Sequence, residues 1–473
     1  MRWRMNHLEL SGAALAALAA FLPLCALLFA TLPLRTALLS GFLIGYLFLP
    51  QGERVVPGVL PDLDRYVVTH CALLLGAILL DLRRLTRLRP HLLDLPIIVL
   101  CAVPFFSSVT NGLGAYDGLS GVMTRSIVWG IPYLLGRAYL SDDVGVRKLA
   151  LAIVVGGLLY VPLCLLEVRM SPQLHNWAYG YHQHSFYQTY RLSGFRPTVF
   201  MQHGLAVGLW MASASLLGVW LLLSGAIPKR RQAAFGALVL ALLATTILCK
   251  SLGSLLLLSL GLGALLVGRL FGRAWPILLL TLVPPTYAVV RAREVWTGDE
   301  LVSVVKRDIS ADRAQSLSFR LRNETALSRK ALERPVFGWA GYGRAAVQDE
   351  DGRTNTIVDG YWIQSMGQNG VVGLLALGGV LLVPIVSFLR SRGPRALWIE
   401  SPEGTGLAAL LAIVAIDDLM NAMFSPFPVL AAAALTGCVI AGRKARVAIP
   451  AAQPVDLQAP VHVQAPVGRP VWA

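Results

Sequence analysis

Long apolar runs joined by short basic connectors make up most of the chain, and they predict helices that cross a membrane. In order, the runs lie near Leu8 to Leu32, Arg35 to Pro50, Tyr66 to Leu82, Leu95 to Leu113, Leu119 to Leu140 and Lys148 to Val168. They resume at Met201 to Leu223, Ala233 to Leu248, Ser251 to Val267 and Trp275 to Val290, then at Val371 to Leu389, Gly404 to Met420 and Phe427 to Ile440. A span needs about 20 apolar residues, so the shorter runs, Arg35 to Pro50 above all, also suit re-entrant or half-spans, and the total comes to about 12 to 14 crossings. The opening MRWRMNHLEL has the look of a signal peptide. Its apolar part runs on too long and more spans follow, so it is read as a retained first helix. The fold class is all-α, a polytopic transmembrane bundle.

Two polar stretches interrupt this pattern. They divide the chain into N-terminal spans (1–169), a first loop (170–200), central spans (201–290), a large, partly helical loop (291–362), C-terminal spans (363–441) and a tail (442–473). The tail repeats Gln453-Pro454-Val455 as Gln458-Ala459-Pro460-Val461 and Gln464-Ala465-Pro466-Val467, a composition that favours extended conformations over a packed core.

Composition agrees: 56% of residues are hydrophobic, 14% are charged and the mean hydropathy is +0.63, outside the range of an ordinary soluble protein. The net charge of +15 does not point to nucleic acid, because the basic residues fall in short clusters between apolar runs. Arg83, Arg84, Arg87 and Arg89; Arg137 with Arg147 and Lys148; Lys229, Arg230 and Arg231; Arg269 with Arg273; Arg390, Arg392 and Arg395; and Arg443, Lys444 and Arg446 share one face if the spans alternate. That face is cytoplasmic by the positive-inside rule, and both loops then face outward. Thirteen spans ending inside leave Arg2 and Arg4 outside, against the rule; the simplest remedy is a single crossing in the first fifty residues, or one further span. The six cysteines lie in or beside apolar runs without CxxC spacing, which indicates neither a disulfide framework nor a zinc site.

Candidate chemistry gathers in the two loops. The first carries Trp177, Tyr179, Tyr181, Phe186, Tyr187 and Tyr190, which suit either stacking on sugar rings or an interfacial aromatic belt. Its His175, His182 and His184 match no standard zinc spacing. Arg191 and Arg196 flank Gly194 just ahead of a span, a placement suited to bidentate phosphate binding or to snorkelling toward headgroups. His203, at the start of that span, reads as a functional histidine or a satisfied core one, and Lys250, in a short turn, completes a cationic pocket or simply ends a span. In the large loop Arg313, Arg320, Glu324 and Leu327 share one helix face. Arg320 and Glu324 then present a phosphate binder beside a carboxylate base, or an ordinary surface pair. Arg334-Pro335 ends that helix, and Gly338, Gly341 and Gly343 form a tight turn around Trp339 and Tyr342, closed by Arg344. The GK[ST] signature of a phosphate-cradling P-loop is missing. From Arg291 to Asp359 there are 12 basic and 11 acidic residues, a mixed surface suited to a polar substrate.

Together, Arg191-Leu-Ser-Gly-Phe-Arg-Pro197, Arg320-Leu-Arg-Asn-Glu324, Ala331-Leu-Glu-Arg-Pro335, Phe337-Gly-Trp-Ala-Gly-Tyr-Gly-Arg344 and Asp359-Gly-Tyr-Trp362 resemble the O-antigen ligase and Wzy-type polymerase superfamily, most of all its exopolysaccharide polymerase-like branch. The resemblance spans roughly Met170 to Leu389. It implies a bacterial inner-membrane glycosyltransferase that needs no metal or other cofactor and uses undecaprenyl-diphosphate-linked oligosaccharides, with flippase and chain-length or export proteins as partners. Where family ligases carry a histidine before the span that follows the long loop, this chain has Asp359, and the family's Ser-Arg-Gly is altered to Lys250-Ser-Leu-Gly253. Both departures favour polymerisation over ligation to lipid A. The expected catalytic set is Arg320, Glu324, Asp359 and Arg191, with Glu324 or Asp359 as the base. Arg196, His203, Lys250, Arg344, Trp339 and Tyr342 would bind substrate. A transporter of lipid-linked glycan is the rival from another class, and Asp417 and Asp418 inside an apolar run are its best feature. A scaffold for an export complex is a third reading.

Overall fold

A computed structural model describes residues 9–56, 60–191, 193–348, 354–423 and 425–448, the last six of these by backbone course only. Arg2, Arg4 and the repetitive tail lie outside the described residues, as do the side chains of Arg443, Lys444 and Arg446. The chain forms α1 (Gly12–Thr31), α2 (Leu34–Phe48), α3 (Arg65–Thr86), α4 (Leu95–Thr110), α5 (Ala115–Arg125), α6 (Ile131–Tyr139), α7 (Asp143–Met170), α8 (Leu174–Tyr179) and α9 (Gly204–Leu223). There follow α10 (Lys229–Leu248), α11 (Leu252–Phe271), α12 (Trp275–Leu280), α13 (Val283–Ala292), α14 (Asp299–Asp308), α15 (Ala311–Leu332), α16 (Tyr361–Ser391), α17 (Pro402–Asp417) and α18 (Phe427–Ala448). Among the described residues nine helical segments are long and apolar enough to cross a membrane, and α2 and the Phe427–Gly442 stretch are apolar but shorter. The protein is an all-α, multi-pass membrane protein. Helix α18 continues past Gly442, where the tail was expected to begin.

Helices α9 and α17 form the centre. Nearly every residue of both is buried, and the Trp220 indole donates to Pro402 O at 2.7 Å across their contact. Charged contacts tie one end of the bundle together. Arg35 at the start of α2 pairs with Asp142 ahead of α7 (2.9 Å), Arg392 after α16 pairs with Asp143 (3.0 Å), and Arg137 in α6 grips Asp94 at 2.8 Å. The opposite end carries the two polar loops and is called the site end below.

Contacts at the site end correct the reading of the first fifty residues. Ser11, the N-cap of α1, donates to Tyr179 O, and Tyr179 Oη donates to Phe48 O at the close of α2. The start of α1 and the finish of α2 therefore share that end, an out-and-back pair in place of a single crossing, the first of the two expected remedies. Other boundaries shift for local reasons. Helix α7 starts before Lys148 because Asp142 caps it, accepting from Gly145 N at 2.7 Å. The run Trp275 to Val290 divides into α12 and α13, with Pro284 and Pro285 in the first turn of the second helix.

The largest shift concerns α16, which begins at Tyr361 and not at Val371. Its first turns carry Gln364, Ser365, Gln368 and Asn369, polar enough to hide them from a hydropathy reading. They are accommodated by partners: Asn369 Nδ2, for instance, donates to Ser107 Oγ at 3.1 Å. The helix then breaks at Gly370 (φ 64°, ψ −164°). The segment after α15 supplies what the break leaves unpaired. Val371 N donates to Pro335 O at 2.7 Å, while Gly367 O and Gln368 O accept from Trp339 N (2.8 Å) and Ala340 N (2.9 Å). A Cβ on Gly370 would lie 2.2 Å from Val336 O, and one on Gly338 would lie 2.6 Å from Gln368 C. Two backbones meet here because neither residue has a side chain. Gly370→Ala should therefore cost at least about 1–3 kcal/mol of backbone strain, read as a lower unfolding temperature in detergent; a variant as stable as the wild type would show that the break is not rigidly held.

Candidate functional site

Three helices meet on one carboxylate. Glu324, on the buried face of α15, receives Arg291 Nε from the last turn of α13 at 2.5 Å, Tyr287 Oη from the same helix at 3.0 Å, and Trp362 Nε1 from the start of α16 at 3.2 Å. Arg291 is 2% exposed, and its other donors reach Trp296 O, Thr297 O, Leu321 O and Thr325 Oγ1. Burial raises the Glu324 pKa, against the lowering effect of Arg291. The expected pairing of Glu324 with Arg320 is not what forms, because the pair is with Arg291. An acid whose oxygens are already filled is a clamp, so its expected role as base moves elsewhere.

The opposite wall of the site is the first loop, and a second buried acid fixes it. Glu167, 1% exposed in α7, accepts from Leu174 N (3.0 Å), Thr198 N (2.8 Å) and Val199 N (2.7 Å). Ahead of this anchor the chain turns back, with Arg191 N donating to Gly194 O at 2.8 Å and Arg196 N to Thr189 O at 2.7 Å. Arg196 lies flat against the start of α9 and is 6% exposed; one Nη donates to Lys250 O at 3.2 Å, and its buried Nε has no partner among the described residues. The Lys250 ammonium sits against Gly194, 2.1 Å from where a Cβ would be.

The two walls bring their cations together. Burial, followed by the charges of Arg191, Arg313 and Arg320, lowers the Arg196 pKa to about 10. Among the described residues, no carboxylate lies within 4 Å of Arg191, Arg196 or Arg313. Arg320 is bound more loosely: Nη1 donates to Met420 O at 3.1 Å, and Nε is 3.8 Å from Asp359 Oδ1. Both side chains line a small cleft with Ile357, Leu419 and Met420. Burial raises the Asp359 pKa and Arg320 opposes the shift. His203 joins the group as N-cap of α9, its Nδ1 accepting from Leu205 N at 3.0 Å. Burial and then the neighbouring His184 and arginines hold its pKa near about 3, so the ring is neutral at ordinary pH.

Of the ten residues expected to act, Arg191, Arg196, His203, Lys250, Arg320 and Asp359 converge, and Glu324 lines the same small cleft as Arg320 and Asp359. Trp339 and Tyr342 are engaged by other partners, and Arg344 N donates to Gly341 O in the same turn. Trp339 is sandwiched by Lys330 (3.9 Å) and Arg334 (4.6 Å), with its indole N–H on Lys330 O. Tyr342 donates to Asp117 of α5, and Asn111 Nδ2 donates to Gly338 O at 2.8 Å. This turn buckles the large loop onto the α4–α5 hairpin. Among the first-loop aromatics, Tyr179 and Tyr181 are spent on Phe48 O and Gln51 O, whereas Trp177, Tyr187 and Tyr190 are exposed. His175 is structural, with Nε2 accepting from Gln51 N at 3.1 Å and Nδ1 on Tyr181 O. Among the described residues no group of three His, Cys, Asp or Glu side chains could hold a metal ion.

Sequence reading missed the floor of the site. Asp417 and Asp418 end α17 beneath Arg320, not midway along a helix; Asp417 Oδ1 accepts from Asn421 Nδ2 at 2.7 Å, and Asp418 O accepts from Tyr361 N at 2.8 Å. Arg313 was noted only for its spacing. The arrangement can bind a multiply charged anion between the two walls and set a carboxylate beside it. No protein-family model matches the chain, and no curated protein matches it either.

Glu324→Ala should cost about 3–5 kcal/mol, because Arg291 stays buried without a counter-charge. Replacing both members, by Arg291→Met with Glu324→Leu, should recover most of that loss. Chemical unfolding of the three proteins in micelles checks this; a double variant no better than the single would mean that shape, not charge, sets the cost.

Proposed function

We propose that the chain is a glycosyltransferase of the inner membrane, one that joins undecaprenyl-diphosphate-linked oligosaccharide units into exopolysaccharide or O-antigen on the periplasmic side. The observation that carries the reading is the convergence of Arg191, Arg196, Arg313, Arg320 and Lys250 around a space bordered by Asp359, with three of the guanidiniums lacking a carboxylate. Such a cluster opposes its own assembly unless an anion joins it, and a diphosphate matches its charge and the bidentate geometry of arginine. The resemblance of the same residues to the ligase and polymerase superfamily supports this choice of anion. In this reading the helices complete the about 12 to 14 crossings that hydropathy predicts, and the arginine-rich end is cytoplasmic.

In the proposed reaction, Asp359 takes the proton from a hydroxyl of the acceptor unit. That oxygen attacks the anomeric carbon of the donor, the bond from this carbon to the diphosphate oxygen breaks, and undecaprenyl diphosphate leaves with the bonding pair. Arg191, Arg196 and Arg320 stabilise the charge it gains. Of the two bases expected, Glu324 or Asp359, the reading takes Asp359, because the acceptors of Glu324 are occupied.

Purified protein incubated with lipid-linked oligosaccharide should yield a ladder of longer chains. Transfer of a single unit to lipid A, or no product, would overturn the polymerase reading. Arg191→Gln should abolish the ladder while holding or raising thermal stability, since it relieves repulsion; full activity in that variant would remove the diphosphate site. Because the Asp359 pKa is raised, its basic form is depleted at acid pH, so the rate should climb with pH through a value above the ordinary carboxylate range. Asp359→Asn should abolish that climb, and an unchanged profile would exclude Asp359 as the base.

A further inference from the structure

A second uncompensated arginine lies away from the cationic group. Arg125 is the last residue of α5, about ten positions and some 15 Å from the start of that helix. A π-helical turn, Ser126–Gly130, follows it and leads into α6, so Arg125 stands within one membrane-length run from Ala115 to Tyr139. An arginine so placed is costly and needs an explanation. Its hydrogen bonds are long and go to neutral oxygens, Tyr361 Oη at 3.4 Å and Asn369 Oδ1 at 3.3 Å. Its guanidinium is 5.8 Å from the centre of the Trp129 ring, which itself stacks on Tyr361 at 5.9 Å. Among the described residues no carboxylate comes within 4 Å of it.

Arg137 and Arg291, by contrast, have Asp94 and Glu324, while Arg65 of α3, which also lacks a carboxylate partner among the described residues, is 3% exposed and enclosed by Tyr46 O, Phe200 O and Tyr66 Oη. Arg125 is held in place by an aromatic face and two amide or phenol groups, which orient a cation without neutralising it. It is half-buried, and the outer surfaces of α5 and α16 expose Leu119, Val371 and Leu375. These exposed apolar side chains on the helices that carry Arg125 and its partners favour an anion carried by a lipid over one dissolved in water.

We propose that Arg125, oriented by Trp129, Tyr361 and Asn369, is a binding site for the phosphate of a membrane lipid, entered sideways between α5 and α16. The phosphate takes the guanidinium bidentately, replacing the two long hydrogen bonds. The site does not depend on the transfer reaction proposed above, since it shares no cation with Arg191, Arg196 or Arg320.

The test is native mass spectrometry of the full chain, stripped of lipid and titrated with phosphatidylglycerol in one series and polyprenyl diphosphate in another. Arg125→Gln should weaken retention of the bound lipid about tenfold. Asn369→Asp provides a second arm that leaves Arg125 in place: it sets a carboxylate beside the guanidinium, should keep the melting temperature of the wild type and should weaken retention by the same factor. The series with the tighter binding identifies the source of the phosphate. Wild-type retention in Asn369→Asp, or displacement of the lipid by millimolar inorganic phosphate, overturns the proposal.

Discussion

The contact between Arg291 and Glu324 fixes the geometry on which the site depends. It joins the end of α13 to the middle of α15, and Trp362 brings the start of α16 to the same carboxylate. Arg320 is one turn before Glu324 on α15, and Asp359 is three residues before Trp362, so one buried acid sets the distance between them. Glu167 does the same for the other wall through three backbone amides. Both acids are consumed by scaffolding. What remains facing the space between the walls is an excess of positive charge.

This division of labour has a thermodynamic side. A buried carboxylate with every acceptor filled is rigid, and its removal is expensive because a partner is stranded. Cations gathered together work in the opposite direction, since each raises the cost of keeping the others charged; burial first, and then the charges of Arg191, Arg313 and Arg320, lower the Arg196 pKa. The protein thus places strongly held groups behind the site and mutually repelling ones in it. Sites that trade stability for readiness to bind commonly show this pattern.

Much of the architecture was legible in the sequence, because apolar runs about a span long leave few alternatives to membrane helices. The first turns of α16 were not legible: Gln364, Ser365, Gln368 and Asn369 look like loop, and only partners distant in sequence, such as Ser107, make them helix. Within the site, Arg191, Arg196 and Lys250 could be matched by chemical type and by their place at span ends. The fate of Glu324 could not, because spacing on α15 pointed to Arg320 four residues away, whereas the partner is 33 residues back. The contacts of Trp339 and Tyr342 with Lys330 and Asp117 were not legible either, as an aromatic in a glycine-rich turn gives no sign in sequence of what it meets.

The break at Gly370 also ties the large loop to the helix that follows it. A helix interrupted in a lipid environment is tolerable only when its unpaired backbone groups are covered by protein. Here the cover comes from residues 335–340, which precede the helix in the chain but must fold back against it. The break in α16 and the turn that precedes the helix are therefore mutually dependent in the folded state, each satisfying backbone groups that the other leaves open.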